Sequence, residues 1–341
     1  MIQSRLLKTY PPRPGEDTSA TFSGHEAFPC RYGWLKKGFD AVAENPAVFS
    51  SDRATTTLGV GKNMVRSIRH WCLAFNVIEE DLSVTKGRNR RLKPTRIGAA
   101  IFDDQDGFDP YLENPSTLWL IHWLLSTNAN RATTWFWAFN HFTRNEFSRQ
   151  QMETELKQSI KKKYRKIPSD NSIKRDVGCF IRTYVPSRGD DSKNLEDTFN
   201  SPLTELELVY QTENPLEIFR YNTGHKATLP IDIIAASISE FWDSYYPTQD
   251  TLPFDKLAFS NNEEPICPAS IFKIDQHSMV VYAERLEEYT DGDFRYDDTA
   301  GIKLIYRQRR VEASEFLSSF YKRPFAPSEK TYQHPELADI N

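Results

Sequence analysis

Paired cysteines, metal-binding histidine motifs and long apolar runs are scarce in this sequence, and each shortage excludes a class of protein. The 341 residues include only 4 cysteines, and none has the CxxC spacing of a zinc framework or a small disulfide scaffold. The seven histidines form no HExxH motif. No apolar run is long enough to span a bilayer, and the first twenty residues contain no signal segment. We therefore expect a cytoplasmic protein with reduced thiols and no membrane partner.

Aromatic residues, by contrast, are plentiful at 13% of the chain, which favours a large folded core over disorder. The net charge of −4 hides a strong unevenness. Residues 51–96 contain ten lysines and arginines against four acidic residues, and residues 157–182 contain nine against two. Residues 190–298 reverse the balance, with seven against twenty-three. The basic segments suit phosphate, whereas the acidic one would face a basic partner, hold a divalent cation or be a solvated surface.

The patterns predict a mainly α protein with small β hairpins, of the α+β class. We divide it into a flexible N-terminus (1–20), a winged helix-turn-helix domain (21–110), a helical domain with the second basic segment (111–186), an acidic α+β domain (187–323) and a tail (324–341). In the acidic domain we expect strands at 203–209 and near Tyr221, helices at 230–245, 254–259 and 269–289, and a hairpin of 294–296 with 302–307. Two helices followed by a hairpin also give a weaker match to a second winged-helix-like module.

The stretch from residue 50 to residue 102 carries the clearest signal. It predicts a short helix at 54–58, a tight turn at Gly59-Val60-Gly61 and a second helix at 62–75. Residues 82–85 and 90–93 are then predicted to form a hairpin around a glycine-containing turn. Helix, turn, helix and basic hairpin is the order of a winged helix-turn-helix, a DNA-binding unit.

On a helical wheel the second helix separates an apolar arc from a basic one. The first residues of a recognition helix contact base edges, where arginine pairs with guanine and asparagine with adenine. The candidate DNA-binding residues are Lys62, Asn63, Arg66, Arg69 and His70 on the helix, and Lys86, Arg88, Asn89, Arg90 and Arg91 on the hairpin. A solvated basic helix face would show the same wheel, so the prediction depends on the turn, the hairpin and the charge together.

The segment SGHEAFPCRYGWLKK places His25 and Glu26 side by side, with Arg31 and Lys36 close behind. An imidazole, a carboxylate and a guanidinium together could perform acid–base or phosphoryl chemistry, so His25 and Glu26 are the candidate catalytic residues. The same residues could equally form a structural clasp between the N-terminal segment and the winged helix. The sequence leaves both interpretations open.

The other candidate metal-binding and catalytic residues form less specific patterns. A nuclease usually holds carboxylates around a divalent cation, and Mg²⁺ or Mn²⁺ is the expected cofactor if this protein cuts DNA. The available carboxylates are Glu196 and Asp197, or Asp291, Asp293, Asp297 and Asp298, none in a recognised motif. His122 and His141 lie in aromatic helices and are predicted to be core or boundary residues.

Several of these segments resemble one family. FSGHEAFPCRYGWLKKGFDAV, LGVGKNMVRSIRHWC and RLKPTRIG are similar to the SspB family, as are the weaker matches KRDVGCFIRTY, EDTFNSPLTELELV and IFKIDQH. The resemblance spans residues 21–320, and Ala27 stands where the family pattern leads us to expect threonine. SspB is the DNA-nicking subunit of single-strand phosphorothioation gene clusters in bacterial antiphage defence.

The resemblance implies a protein that nicks DNA so that sulfur can replace a non-bridging phosphate oxygen. It also implies three partners, namely a cysteine desulfurase, an ATPase and an ATP-pyrophosphatase-like sulfur transferase. Two hypotheses follow, a metal-dependent nickase and a non-catalytic, sequence-specific DNA-binding adaptor or regulator. Either could act as a homodimer, because such readers often pair over symmetric sites.

Overall fold

The computed structural model describes residues 20–81, 91–164, 167–186, 201–213, 216–260 and 264–325. The elements up to residue 102 are α1 (Trp34–Glu44), α2 (Ala54–Leu58), α3 (Lys62–Ala74), β1 (Ile78–Glu80), β2 (Leu92–Pro94) and α4 (Arg96–Phe102). Thr95 starts α4, because its side chain accepts the Gly98 N–H at 2.9 Å. The same hydroxyl donates to the Val77 carbonyl at 3.1 Å, which joins α4 to the start of the hairpin.

The middle of the chain is helical around one short strand. Its elements are α5 (Pro115–Thr127), α6 (Thr133–Asn140), β3 (Glu146–Ser148), α7 (Arg149–Lys163) and α8 (Asp170–Tyr184). Side-chain caps set three of these starts: Asn114 caps α5, Ser169 caps α8, and Ser148 forms a capping box with Gln151 at the start of α7.

The C-terminal part mixes short strands with helices. Its elements are β4 (Val209–Gln211), β5 (Ile218–Tyr221), α9 (Ile231–Tyr245), β6 (Thr251–Pro253), α10 (Asp255–Ala258), α11 (Pro268–Phe272), α12 (Gln276–Tyr289), β7 (Phe294–Thr299), β8 (Ile302–Arg307) and α13 (Ala313–Tyr321). Within the described ranges the strands form three small antiparallel sheets, β1-β2, β3-β5-β4 and β6-β8-β7. The fold is therefore α+β, mainly helical with small antiparallel sheets.

The buried apolar side chains form one continuous core that extends from Cys30 to Leu317. The helices α5 and α6 lie inside it, because they are apolar on nearly every side and almost all of their residues are buried. His122 belongs to this core as predicted: its Nε2 donates to the Ile271 carbonyl and its Nδ1 accepts from the Tyr184 hydroxyl, both at 2.9 Å. Burial lowers the pKa of His122 to about 3. None of the helices that the structure describes is long and apolar enough to cross a membrane.

Several predicted boundaries are wrong, each for a local reason. The strand expected at 203–209 is a 3₁₀ turn at Pro202–Leu206, started by the Ser201 side chain, and the strand begins only at Val209. The helix expected at 269–289 is broken at Lys273, whose φ of 52° ends α11 before Asp275 caps α12. The first hairpin strand is Ile78–Glu80, and the one expected at 82–85 lies outside the described residues.

Gly38 lies where α1 crosses α3, and its lack of a side chain permits their close approach. A Cβ at this position would lie 2.3 Å from Cys72 Sγ and 3.0 Å from Ile68 Cγ2. Gly38→Ala is therefore expected to lower the free energy of unfolding by about 1–3 kcal/mol, because overpacking separates the helices. Chemical denaturation measures this.

Two further variants make that prediction specific. Gly178→Ala is the matched control, since a Cβ in that helix would meet nothing closer than 3.7 Å. Combining Gly38→Ala with Cys72→Ala should recover part of the loss, because the double change removes the clashing sulfur. Strict additivity of the two single losses would contradict the steric explanation.

Candidate nucleic-acid interface

A left-handed glycine sets the direction in which α3 leaves α2. Gly59 has φ 65° and ends α2, a conformation that other residues adopt at a cost. The preceding Leu58 carbonyl accepts a hydrogen bond at 2.9 Å from Lys37 Nζ on α1, which fixes the end of α2 from a neighbouring helix. After Gly61, α3 begins directly at Lys62.

The first half of α3 presents polar side chains to solvent. Lys62, Asn63 and Arg66 are exposed, and we call these three residues the α3 face. The opposite side of the helix is buried, with Ile68 and Trp71 both fully enclosed. This division places one ammonium, one amide and one guanidinium on a helix whose other side is anchored in the core.

Two residues that the wheel placed with the α3 face lie elsewhere. His70 is only 8% exposed, and its ring centroid lies 5.2 Å from that of Trp71. The expectation of an exposed His70 is wrong because Gly24 packs against the imidazole so closely that a Cβ would lie 2.5 Å from Nδ1. Burial lowers the pKa of His70 well below its usual range. Arg69 is half-buried, and its guanidinium lies 3.6 Å from Glu80.

The hairpin contributes one described residue of the predicted set. Arg91 is exposed, and its carbonyl accepts the Asp81 N–H at 2.9 Å, which extends the pairing of β1 with β2. Beside it, Lys93 Nζ lies 3.7 Å from Glu79. The other predicted hairpin residues lie outside the described residues, namely Lys86, Arg88, Asn89 and Arg90.

Residues 23–28 cross from α3 to α8, and we call this segment the clasp. Three side chains, two from α3 and one from α8, donate to its carbonyl groups. These bonds are Ser67 Oγ to His25 (3.0 Å), Trp71 Nε1 to Phe28 (3.0 Å) and Arg182 Nη2 to Ala27 (2.6 Å). The clasp therefore connects the candidate reading helix with a helix more than a hundred residues later in the chain.

Left-handed backbone in the clasp shows how tightly these contacts hold it. Ser23, Glu26 and Ala27 have φ values of 57°, 48° and 67°. Each such residue costs roughly 1–2 kcal/mol relative to ordinary backbone, so the conformation persists only because neighbouring groups determine it.

His25 of the clasp and Asp176 of α8 form a buried pair. Each side chain is 1% exposed, and His25 Nε2 lies 3.1 Å from Asp176 Oδ1. The same carboxylate accepts the Ser23 N–H at 2.6 Å and the Thr134 hydroxyl at 2.8 Å. One carboxylate thus joins the clasp, α6 and α8.

Opposing effects act on the His25 imidazole. Burial disfavours its charged form, but Cys179 and the Asp176 carboxylate raise the pKa of His25 above its ordinary value. The Ala27 N–H opposes that rise, because it donates to Nδ1 at 3.0 Å and only an unprotonated nitrogen accepts. These bonds place the ring proton on Nε2, directed at Asp176.

The two candidate catalytic residues therefore occupy different surroundings. A general base must come within hydrogen-bond reach of its substrate, whereas His25 is buried with both nitrogens already engaged. Glu26 is at the surface, where its Oε1 lies 3.3 Å from Arg66 Nη1. The clasp thus adds a carboxylate to the edge of the α3 face, and a catalytic role for His25 stays a prediction that requires the clasp to open.

Asp176 is the residue that sequence reasoning missed. Its signal lies in KRDVGCFIRTY, where an aspartate shares a helix side with Ile173, Val177 and Phe180, all of them buried. A carboxylate on an apolar helix side needs buried hydrogen-bond donors, but a sequence pattern does not say where in the chain those donors lie.

The second basic segment has mixed surroundings. Lys174 and Arg175 are exposed on α8, while Lys157 on α7 is paired with Asp170. Arg165 and Lys166 lie outside the described residues.

The acidic candidates for a cation site do not converge. Asp293 lies 2.8 Å from Arg309, and Asp298 lies 3.7 Å from Lys303, so both carboxylates already face a cation of the protein. Glu196 and Asp197 lie outside the described residues. Within the part of the chain that the structure describes, no three His, Cys, Asp or Glu residues are grouped as metal ligands.

Comparison with known proteins adds to this geometry. The profile of a family described as a protein of unknown function (DUF4007) matches residues 22–321. An SspB crystal structure is similar with a TM-score of 0.78 and 27% identity, covering 90% of this chain and 89% of that one. A magnesium ion-bound SspB crystal structure has the same TM-score and identity, covering 93% of each chain. No curated protein matches the sequence. The chain belongs to the DUF4007 family and is an SspB-like protein.

Proposed function

We propose that this protein binds duplex DNA through a winged helix-turn-helix within residues 21–110. In this proposal α3 is the recognition helix and the hairpin of β1 and β2 is the wing. The α3 face carries the proposal, because Lys62, Asn63 and Arg66 are exposed at the start of a helix whose other side is buried. Recognition helices use these positions to contact base edges and phosphates.

The proposed setting is single-strand DNA phosphorothioation, in which the protein would nick DNA for sulfur insertion. Similarity to two SspB structures over about 90% of this chain supports that setting. The partners would be a cysteine desulfurase, an ATPase and an ATP-pyrophosphatase-like sulfur transferase. A divalent cation would supply the Lewis acid for phosphodiester cleavage.

Glu26 is the residue we propose for the chemistry. It is the surface member of the candidate catalytic pair, and it lies 3.3 Å from Arg66 of the α3 face. A guanidinium grips a phosphate through its fixed donors, and a neighbouring carboxylate can orient or deprotonate the attacking water. His25 would position Glu26 through the clasp backbone without touching the substrate.

One observation favours the second candidate function, a DNA-binding adaptor that recruits the modification proteins. Both nitrogens of His25 are engaged in the clasp, one by Asp176 and one by the Ala27 N–H. A structural role fully accounts for this geometry, and an adaptor needs only the α3 face.

Plasmid nicking tests the proposal. Supercoiled plasmid is incubated with wild type, with Glu26→Gln and with Glu315→Gln, in Mg²⁺, in Mn²⁺ and in EDTA. We expect metal-dependent conversion to open circle, slowed at least 100-fold in Glu26→Gln, because acid–base groups contribute about 10²–10⁴ in rate. Glu315 is the matched control, a surface carboxylate 3.0 Å from Arg309.

The outcomes separate the two functions. If the protein binds DNA but neither wild type nor either variant nicks it, the adaptor function is supported. Nicking at an equal rate in both variants would move the chemistry away from Glu26, and a wild type that neither binds nor nicks DNA would refute the proposal.

A further inference from the structure

A cavity of about 720 Å³ lies along one side of α7, and none of its lining residues belongs to the α3 face or the clasp. Its opposite wall comes from Trp137, His141 and Arg144. The lining of α7 runs from Gln150 to Lys163, nearly the whole helix, so the cavity is a groove roughly 20 Å long. We call it the α7 groove.

Positive charge outweighs negative charge in the α7 groove. Arg144, Lys162 and Lys163 line it together with one acidic residue, Glu155. That carboxylate is already paired with Arg144. In the ranges that the structure covers, no carboxylate lies within ion-pair distance of Lys162 or Lys163. Among the described residues, the ammonium groups of Lys162 and Lys163 therefore have no carboxylate partner at this end of the groove.

His141 adds no charge of its own at this end of the groove. Lys163 Nζ donates to His141 Nε2 at 3.1 Å, so the ring is neutral and its proton is on Nδ1. Burial and the charge of Lys163 lower the pKa of His141 to about 4. Burial also lowers the pKa of Lys163. An anion at this end would favour the charged form of Lys163, because an opposite charge stabilises an ammonium group.

The rest of the α7 side is polar and uncharged. Gln150, Thr154 and Gln158 follow at four-residue spacing, and Ser159 lies beside them. Amide and hydroxyl groups of this kind donate to phosphate oxygens. A phosphate-bearing ligand fits this lining better than an apolar molecule does, because Trp137 is the single apolar residue among those that line the groove.

We propose that the α7 groove binds a phosphate group, with Lys162 and Lys163 as its principal contacts. The phosphate could belong to a DNA strand or to a free nucleotide. For a DNA strand the inference rests on the proposed function, and for a free nucleotide it stands alone. Lysines in the last turn of a helix also complement its dipole, and Lys161 does this without lining the groove.

The experiment compares wild type, Lys162→Ala/Lys163→Ala and the matched control Lys161→Ala in the full chain. Adenosine monophosphate and inorganic phosphate are titrated at constant ionic strength, with thermal unfolding and calorimetry as readouts. We expect both probes to stabilise wild type and the control, and the double variant to lose the effect. Binding of labelled duplex DNA is then measured against salt. For the double variant, the slope of log K against log salt concentration should be smaller in magnitude than that of wild type by about 1.8, the value for two phosphate contacts.

Each outcome decides between the possibilities. Loss of the nucleotide effect with an unchanged DNA slope assigns the groove to free nucleotides. If wild type binds nucleotide but no DNA, and the double variant loses the nucleotide binding, the proposed function is refuted and this inference stands. DNA binding with an unchanged slope, together with no lysine-dependent effect of either probe, overturns the inference and leaves the proposed function intact.

Discussion

Replacement of Asp176 by alanine is expected to lower the free energy of unfolding by about 3–5 kcal/mol, because it leaves several buried hydrogen-bond donors without an acceptor. The side chain is 1% exposed, and its loss leaves the donors of His25, Ser23 and Thr134 without an acceptor. Each abandoned donor costs roughly 1–3 kcal/mol by itself. The clasp should consequently detach from α8.

Two milder variants keep this prediction testable if Asp176→Ala does not fold. Asp176→Asn keeps an oxygen for Ser23 and His25 and directs its amide at the Thr134 hydroxyl, which can rotate to accept, so a smaller loss is expected. Thr134→Val removes one bond at 2.8 Å and should cost about 0.5–1.5 kcal/mol. Urea denaturation monitored by tryptophan fluorescence measures all three. A loss below 1 kcal/mol for Asp176→Ala would show that the clasp does not depend on this carboxylate.

Charge reversal at Lys62 and Arg66 is the second large effect. We expect the double variant Lys62→Glu/Arg66→Glu to bind duplex DNA at least 100-fold more weakly, because each base or phosphate contact of this kind contributes about 1–3 kcal/mol and reversal adds repulsion. Both side chains are exposed, so the free energy of unfolding should stay within about 0.5 kcal/mol of wild type.

Fluorescence anisotropy with a labelled duplex at several salt concentrations measures that loss. The matched control is Arg285→Glu/Lys322→Glu, which makes the same change in net charge at exposed positions of the acidic C-terminal part. If the control variant weakens binding as much as the α3 variant, net charge decides the affinity and α3 is not the recognition helix.

Local pattern was enough to predict α3 but not its surroundings. The helix expected at 62–75 is observed at Lys62–Ala74, because its apolar stripe and the glycines before it are contained in a few consecutive residues. Elements that depend on distant partners were missed. The strand β3 exists because it pairs with β5, more than seventy residues later, and α13 was not expected because it packs on α9.

For the candidate site, too, the sequence predicted the features that depend on local pattern and missed those that depend on distant residues. Exposure of Lys62, Asn63 and Arg66 follows from the wheel, whereas the burial of His70 follows from Gly24 and the clasp, which the wheel does not contain. The pairing of His25 with Asp176 spans 151 residues, so adjacency of His25 and Glu26 in the sequence suggested shared chemistry where the fold separates them. Only the structure puts one residue in the core and the other at the surface.

The clasp also sets the order in which parts of the chain can fold during translation. A ribosome releases the chain from its N-terminus, and a segment can dock only when its partner has emerged. Ser23 and His25 must wait for Asp176 on α8, so α3 leaves the ribosome with the side that carries His70 and Trp71 uncovered. Translation of about 105 further residues, roughly 5–20 seconds at 5–20 residues per second, separates synthesis of this surface from its burial. During that interval the nascent chain presents an aromatic patch to chaperones.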